Sequence, residues 1–489
     1  MQWKLHTLLD GLVRETPPDA ASLLVNGITA DSRDVKPGHL FFALGGVKLD
    51  GAAFADSAVA NGAVAIVADP AARLPPLKVP VLRADAPRRV LALAAARFYA
   101  LQPPIAVAVT GTNGKTSVVS FVRQIWERMA FAAASIGTVG VVGPTGAVNA
   151  SHTTPDPVTL HALLAELAEE GVTHFAMEAS SHGLAQHRMD GVRLAAAGFT
   201  NITRDHLDYH ASFDEYLGAK LRLFRDLLPQ GAPAVVNADG AGAADVLKAA
   251  KAHGERLLTT GHAGTFLTIA SQRREGFGQQ LTIVSPHGSH QVCLPLAGDF
   301  QASNALVAAG LVIAAGGEVE LTMRALESLK GASGRLELVA RADSGAPVFV
   351  DYAHTPDALE TVLKTLRPYT ERKLAVVFGC GGDRDRGKRP QMGAIAAKFA
   401  DVAYVTDDNP RTEDPAAIRA AVMAACPGGI EVGNREEAIR LAVGKLHPGD
   451  VLLVAGKGHE TGQIVGKEVL PFSDQDVVRK AASEGTANG

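Results

Sequence analysis

Apolar residues along this chain follow two rhythms: short continuous runs, and a helical recurrence. Their alternation divides the sequence into three regions. In the first, residues 1–85, runs bounded by turn residues predict strands at Gly27–Ala30, Leu40–Leu44 and Ala63–Val67. Turns fall at Pro37-Gly38 and Gly45-Gly46, and the proline-rich Leu74–Pro80 lies near its end. The second, residues 86–332, opens on a helical pattern over Arg88–Leu101. It continues through strands Ile105–Thr110, Thr173–Glu178, Ala195–Asn201 and Ala234–Asn237 to a helix over Ala302–Ala315, stopped by Gly316-Gly317. The third, residues 333–489, alternates strands Val348–Tyr352, Leu374–Phe378, Val402–Thr406 and Val451–Val454 with helices such as Pro415–Cys426 and Arg435–Leu446. Ala481–Gly489 reads as a frayed tail. Strands alternating with helices predict an α/β fold whose sheets are largely parallel and covered on both faces. The third region is Rossmann-like in rhythm but lacks a GxGxxG opening, so nothing marks it as a dinucleotide site.

Composition narrows the class without choosing a function. Of 489 residues, 47% are hydrophobic and 20% charged, an ordinary globular balance. That length suits about three domains. The formal net charge of −4 argues against a general nucleic-acid binder, while leaving room for a local basic pocket. Cys293, Cys380 and Cys426 form no CxxC pair and fit no disulfide framework, as expected of reduced thiols. The N-terminus lacks a signal-peptide layout, and no apolar run is long enough to span a bilayer. The expectation is a cytoplasmic, monomeric protein acting on small molecules.

The chemistry starts at Val107-Ala-Val-Thr-Gly111-Thr112-Asn113-Gly114-Lys115-Thr116-Ser117, a strand, a glycine turn and a helix start. Backbone N–H groups at such a turn attract phosphate oxygens, Lys115 can neutralise the β/γ-phosphates, and the Thr116 hydroxyl can hold Mg²⁺. The strict P-loop spacing wants glycine where Val109 stands. Glu178 ends an apolar strand, where a carboxylate is well placed to hold Mg²⁺ against phosphates. His206 sits in the polar run Arg204–Asp208 and reads equally as a loop histidine. The segment Phe213–Leu228 predicts an amphipathic helix with Phe213, Leu217, Phe224 and Leu228 on its apolar stripe. Lys220 falls within that stripe, so it either snorkels outward or is chemically altered.

The loop GTNGKT[ST] resembles that of the Mur ligases and folylpolyglutamate synthases. Further motifs follow in the Mur-ligase order: Asp31-Ser32-Arg33, Met177-Glu178-Ala-Ser180-Ser181-His182, Thr203-Arg-Asp205-His206-Leu-Asp208, Gly334-Arg335-Leu-Glu337, Asp351-Tyr-Ala-His354, Gly381-Gly-Asp383-Arg384-Asp385, Asp408-Asn409-Pro410-Arg411 and Gly456-Lys457-Gly458-His459-Glu460. The N-terminal Asp31–Arg33 stretch and Asp408–Arg411 favour the Mur ligases over the folate enzymes. Retention of Lys115, Glu178, His206 and Lys220 argues against an inactive nucleotide switch.

The resemblance implies three domains: a small α/β N-terminal domain for a UDP-sugar, a central P-loop-type ATPase domain, and a C-terminal domain delivering an amino acid. It implies a peptidoglycan-building reaction that joins meso-diaminopimelate to the D-glutamate γ-carboxylate of a UDP-linked muramoyl dipeptide, through an acyl phosphate. It carries ATP to Gly111, Thr112, Asn113, Gly114, Lys115, Thr116, Ser117, Asn304 and Arg335, and Mg²⁺ to Thr116, Glu178, His206 and Lys220. In the family that lysine is a CO₂-derived carbamate (N6-carboxylysine), a modification needing the neutral amine that burial favours. The UDP-dipeptide falls to Ala30, Ser32, Val47, Lys48, Leu49, His152, Thr153, Thr154, Ser180, Gln186 and Arg188. His152 stands where relatives commonly carry asparagine. Asp351 and His354 are candidate aids near the reaction intermediate.

Three third-region loops, Gly379–Arg386, Asp407–Arg411 and Gly456–Glu460, each follow a predicted strand and so should gather on one sheet edge. The resemblance supplies their ligand: diaminopimelate, with Arg384, Asp408, Asn409, Pro410, Arg411, Gly456 and Glu460 as candidates. Its far end carries a carboxylate that lysine lacks, and the planar guanidinium of Arg411 can pair that group bidentately.

Overall fold

The computed structural model describes residues 2–46, 50–148, 152–203 and 209–485. Val47, Lys48, Leu49 and His206, all named above as candidates, lie outside them. Three larger sheets and two two-stranded ones carry the described chain, and two compact units divide it. The first unit comprises residues 1–268, 285–287 and 306–322; the second comprises 269–284, 288–305 and 323–489.

In the first unit, strands Gly27–Thr29, His39–Ala43, Ala63–Ala68 and Val81–Arg83 form a four-stranded parallel sheet. Three of these are the predicted strands within a residue or two. The fourth, after the proline-rich stretch, is too short to leave a pattern. Helix Pro87–Tyr99 packs Val90, Leu91, Ala94 and Phe98 into the core of this small sheet, with Leu40, Phe42 and Val67. The pattern reading gave that helix to the central region. Its apolar face is already covered by the first one.

The larger sheet of this unit orders its parallel strands Ala133–Gly137, His174–Glu178, Ile105–Thr110, Leu194–Phe199, Pro233–Asn237 and Arg256–Gly261. An antiparallel hairpin, Gly140–Gly143 and Gly146–Val148, extends one edge. The strands read as apolar runs because both faces are buried. Their C-terminal ends present Thr110, Glu178 and Phe199 to one edge.

One element departs from expectation. Helix Phe213–Arg222 passes into a π-helical turn, Leu223–Leu227; of the predicted stripe, Phe224 and Leu228 are buried and Leu217 packs against the same core. Phe213 is exposed, whereas Tyr216, Ala219, Lys220, Leu223 and Phe224 are buried. The wider π turn lets consecutive Leu223 and Phe224 both face the core. Lys220 is 1% exposed and does not snorkel.

In the second unit, strand Glu337–Arg341 is antiparallel to Pro347–Asp351. Parallel strands Val451–Ala455, Leu374–Phe378, Val402–Val405 and Ile430–Glu431 follow in that spatial order. This is the predicted Rossmann-like rhythm, with strand ends at Asp351, Ala455, Phe378 and Val405 on one edge. Of the expected frayed tail, the described residues 481–485 continue a helix. Helix Asp474–Gly485 buries Val478, and Asp474 pairs with buried Arg435 at 2.7 Å. A charged pattern hides that anchor. Phe277 stacks on Tyr369, with ring centroids 5.9 Å apart. It belongs to strands Leu267–Glu275, Gly278–Ser285 and Gly288–Leu294, for which the apolar pattern predicted nothing, and lies in the turn joining the first two.

Candidate active site

The phosphate loop leaves strand Ile105–Thr110 and enters helix Lys115–Arg128 through Gly111 and Gly114, at φ +150° and +87°. A Cβ on Gly111 would stand 2.0 Å from Thr200 Oγ1, so only glycine lets the loop pass its neighbouring strand. The loop is tied down by Thr200 Oγ1, which donates to Asn113 O at 2.6 Å. Asn201 Oδ1 accepts from Asn113 N at 3.1 Å.

Lys115 Nζ donates to Gly111 O at 2.9 Å and to Thr112 O at 2.8 Å. Lys220 Nζ donates to the same Gly111 O at 2.8 Å. Two amines from distant helices thus meet on one carbonyl oxygen of the loop. Tyr216, which no motif singles out, braces both sides. Its hydroxyl lies 2.9 Å from Thr112 Oγ1, and its ring centroid lies 4.5 Å from Lys220 Nζ.

Glu178 is buried at its strand end. Thr138 N donates to its Oε1 at 2.7 Å and Thr138 Oγ1 to its Oε2 at 3.3 Å. Among the described residues no cationic side chain pairs with it. A buried carboxylate held only by neutral donors suits a bound cation. Among the described residues no group of three or more His, Cys, Asp or Glu could hold a metal. The donors that fit Mg²⁺ are therefore this carboxylate and the hydroxyl of Thr116, at the start of the phosphate-loop helix.

Thr154, Ser180 and Arg188 form one network. Thr154 Oγ1 donates to Glu178 O at 2.9 Å and lies 3.0 Å from Ser180 Oγ, which caps helix Ser181–Ala185 by accepting from Gly183 N. Thr153 Oγ1 lies 3.2 Å from Thr138 Oγ1. Arg188 donates to Thr154 O at 2.7 Å and to Gln186 Oε1 at 2.9 Å. A cavity of about 430 Å³ opens beside this network, lined by Ala30, Asp31, Gln186, Arg188 and also Arg88. Ser32 lies in the adjoining turn, and His152 is exposed. Arg88 was missed because its position at a helix start looked ordinary. Among the described residues neither Arg88 nor Arg188 is in a salt bridge, so the cavity offers two guanidinium groups, although the carboxylates of Asp31, Asp34 and Asp156 share its lining.

In the second unit, Asp351 is buried and accepts from Leu336 N at 2.6 Å and Ala353 N at 2.8 Å. Burial pushes its carboxyl above the usual range, against the pull of Arg335. It holds the Gly334–Leu336 turn, from which Arg335 lies over the Tyr352 ring at 4.9 Å. His354 Nδ1 is 2.8 Å from Tyr352 O; a carbonyl only accepts, so Nδ1 carries the proton and Nε2 keeps its lone pair. Burial holds this imidazole below the ordinary histidine range. Asn304 is buried, donating to Gln301 Oε1 at 3.2 Å.

The expected sheet edge is real. Asn409 Nδ2 donates to Glu460 Oε2 at 2.9 Å, and Arg411 Nη1 donates to Gly382 O at 2.8 Å. Among the described residues the other face of the Arg411 fork makes no hydrogen bond. Gly456 (φ +119°) is required, because a Cβ there would meet Asp408 Oδ2 at 2.9 Å. Pro410 is buried behind the cluster, and Arg384 is exposed. Lys457, quoted above only as part of a motif, is fully buried among Asp408, Asn409 and Glu460.

Models of the Mur ligase family catalytic domain, the Mur ligase middle domain and the Mur ligase glutamate ligase domain match residues 24–99, 109–312 and 334–458. The UDP-N-acetylmuramoyl-L-alanyl-D-glutamate--2,6-diaminopimelate ligase of Mesorhizobium japonicum is 58% identical over 468 residues, covering 96% of this chain and 97% of that protein. The chain belongs to the Mur ligase family. A Mur ligase of the same name from Brucella melitensis biotype 1 is 57% identical, covering 95% of each chain. A solved Mur ligase structure titled as a UDP-N-acetylmuramoyl-L-alanyl-D-glutamate--2,6-diaminopimelate ligase is similar with a TM-score of 0.74. It is 33% identical, covering 99% of this chain and all 100% of the other. The three-domain α/β fold is that of the Mur ligases.

Proposed function

We propose that the chain is an ATP-dependent ligase that joins meso-diaminopimelate to the D-glutamate γ-carboxylate of UDP-N-acetylmuramoyl-L-alanyl-D-glutamate, in peptidoglycan synthesis. The observation that carries this reading is the meeting of Lys115 and Lys220 on Gly111 O, beside an uncompensated Glu178 and the two-arginine cavity. The three family-matched segments divide the work: UDP-sugar, ATP and amino acid.

A γ-carboxylate oxygen attacks the γ-phosphorus of ATP, and the bond to ADP breaks. The amine of diaminopimelate then attacks the acyl carbon, and phosphate leaves as the amine loses a proton. The loop N–H groups and Lys115 hold the phosphates and offset growing negative charge. Arg88 and Arg188 hold the UDP-linked substrate. Asp351 acts by placing the Arg335 turn, and the neutral His354 Nε2 can take a proton. Thr116, Glu178 and, following the family, His206 would hold Mg²⁺, whose charge would offset that of the ATP phosphates. The burial of Lys220 beside the phosphate loop supports the carbamate assigned to it by resemblance, an added oxygen ligand for that ion.

Among the described residues no helix is long and apolar enough to cross a membrane. With nucleotide substrates, that fits a cytoplasmic enzyme, which we take to be a monomer. Phosphate release should require the UDP-dipeptide and meso-diaminopimelate together, and the product should gain the mass of diaminopimelate less water. ATP hydrolysis indifferent to either substrate would refute the assignment.

A further inference from the structure

Lys457 occupies the centre of the amino-acid cluster. Its Nζ donates to Asn409 Oδ1 and to Gly462 O, both at 2.9 Å, and lies 3.5 Å from Asp408 Oδ1 and 3.8 Å from Glu460 Oε2. Asn409 Oδ1 and Gly462 O accept two N–H bonds, and the Asp408 carboxylate stands 3.5 Å away as an ion-pair partner, a setting that suits an ammonium. Ile464 N donates to Asn409 Oδ1 at 2.9 Å, which fixes the amide so that its Nδ2 faces Glu460. Lys457 therefore sets both the geometry and the charge of this pocket.

The charges can be summed. Asp408 and Glu460 are negative, while Lys457 and Arg411 are positive. Of the other ions nearby, Arg435 pairs with Asp474 at 2.7 Å, and Glu413 is shared by Arg389 at 2.9 Å and Arg386 at 3.2 Å. Arg384 is exposed and screened by water. The far end of diaminopimelate, one ammonium and one carboxylate, is neutral; that of lysine is a lone cation. Whatever the absolute sum, removing the buried cation shifts the pocket by one negative charge toward favouring the lone cation. Resting on the amino-acid site assigned above, we propose that Lys457 is a specificity-determining residue: its buried ammonium balances Asp408 and Glu460, so that the pocket suits a zwitterionic end group and disfavours a bare ammonium.

The test is the ratio of kcat/KM for meso-diaminopimelate to that for L-lysine in the full-length wild type, Lys457→Met, Lys457→Arg, Glu460→Gln and the Met/Gln double variant. KM for ATP and the UDP-dipeptide is measured alongside. Lys457→Met keeps the side-chain length and should lower the ratio on the order of tenfold, with both other KM values little changed. Lys457→Arg should hold the wild-type ratio. Glu460→Gln should move the ratio the opposite way, and the double variant should recover most of the loss. If Lys457→Met fails to fold, the direction of the Glu460→Gln shift decides. A wild-type preference that none of these substitutions moves overturns the role of Lys457 alone. A wild type without preference overturns the amino-acid assignment itself.

Discussion

We propose Arg411 as the partner of the carboxylate that distinguishes diaminopimelate from lysine. With φ at +52° it pays a local backbone cost, yet it aims a half-used guanidinium into the strand-end cluster. Arg411→Ala should cut kcat/KM for diaminopimelate on the order of a hundredfold, because the ligand's far carboxylate loses its bidentate partner. Unchanged use of diaminopimelate would remove Arg411 from the site. Lys220→Ala should abolish turnover, with partial return on adding a short carboxylic acid that supplies the missing oxygen ligand. A carbamate resonance in the ¹³C spectrum of wild type under labelled CO₂, absent from the variant, would confirm the chemistry without an activity assay; its absence from wild type would exclude it. The phosphate loop was legible residue by residue because its parts are contiguous. The role of Lys457 was not, since its partners Asp408, Asn409 and Gly462 meet it only when separate strands align.

Among elements, helix Phe213–Arg222 shows how pattern succeeds and fails together. The apolar stripe located a helix and put Lys220 on its buried side, but it chose Phe213 and missed Tyr216. Both slips fall before the π turn at Leu223–Leu227, whereas Phe224 and Leu228, in and just past it, are buried as the pattern requires. Strand ends were easier: parallel strands with both faces buried leave continuous apolar runs, so Glu178, Asp351 and Asp408 were correctly set at or just past them. The helix also has an anchor invisible to periodicity. Arg222, two residues beyond Lys220, contacts buried Asp190 at 3.3 Å, and His187 Nδ1 lies 3.0 Å from the same carboxylate. Asp190 thereby ties the Lys220 helix to the Gln186–Arg188 loop. Asp190→Ala should cost on the order of 1–2 kcal/mol, since Arg222 loses its charge-assisted bond here but keeps Asp226 at 3.0 Å, and should raise KM for the UDP-dipeptide. Denaturation curves identical to wild type would contradict this coupling.

The whole molecule carries a pH dependence away from the catalytic groups. Glu255, at the start of strand Arg256–Gly261, is buried with Oε2 unpartnered, and burial pushes its carboxyl up to about 8. Its unfolded value is near 4.3. A raised folded value means the stability linked to its proton is fully present below the unfolded value and is lost as pH rises to about 8. Glu255→Gln should therefore raise Tm at pH 8 by a few degrees more than at pH 4, and equal shifts at both would reject the burial argument. The two apolar rhythms marked three regions along the chain; the allegiance of helix Pro87–Tyr99 was not legible in them, because which sheet covers a helix is a three-dimensional fact. The central claim is that a carboxylate of the UDP-linked substrate attacks ATP before the amine arrives. Labelling the D-glutamate γ-carboxylate with oxygen-18 and turning the enzyme over with ATP and meso-diaminopimelate tests it most directly. The account predicts one labelled oxygen in each released phosphate; phosphate free of label would contradict it.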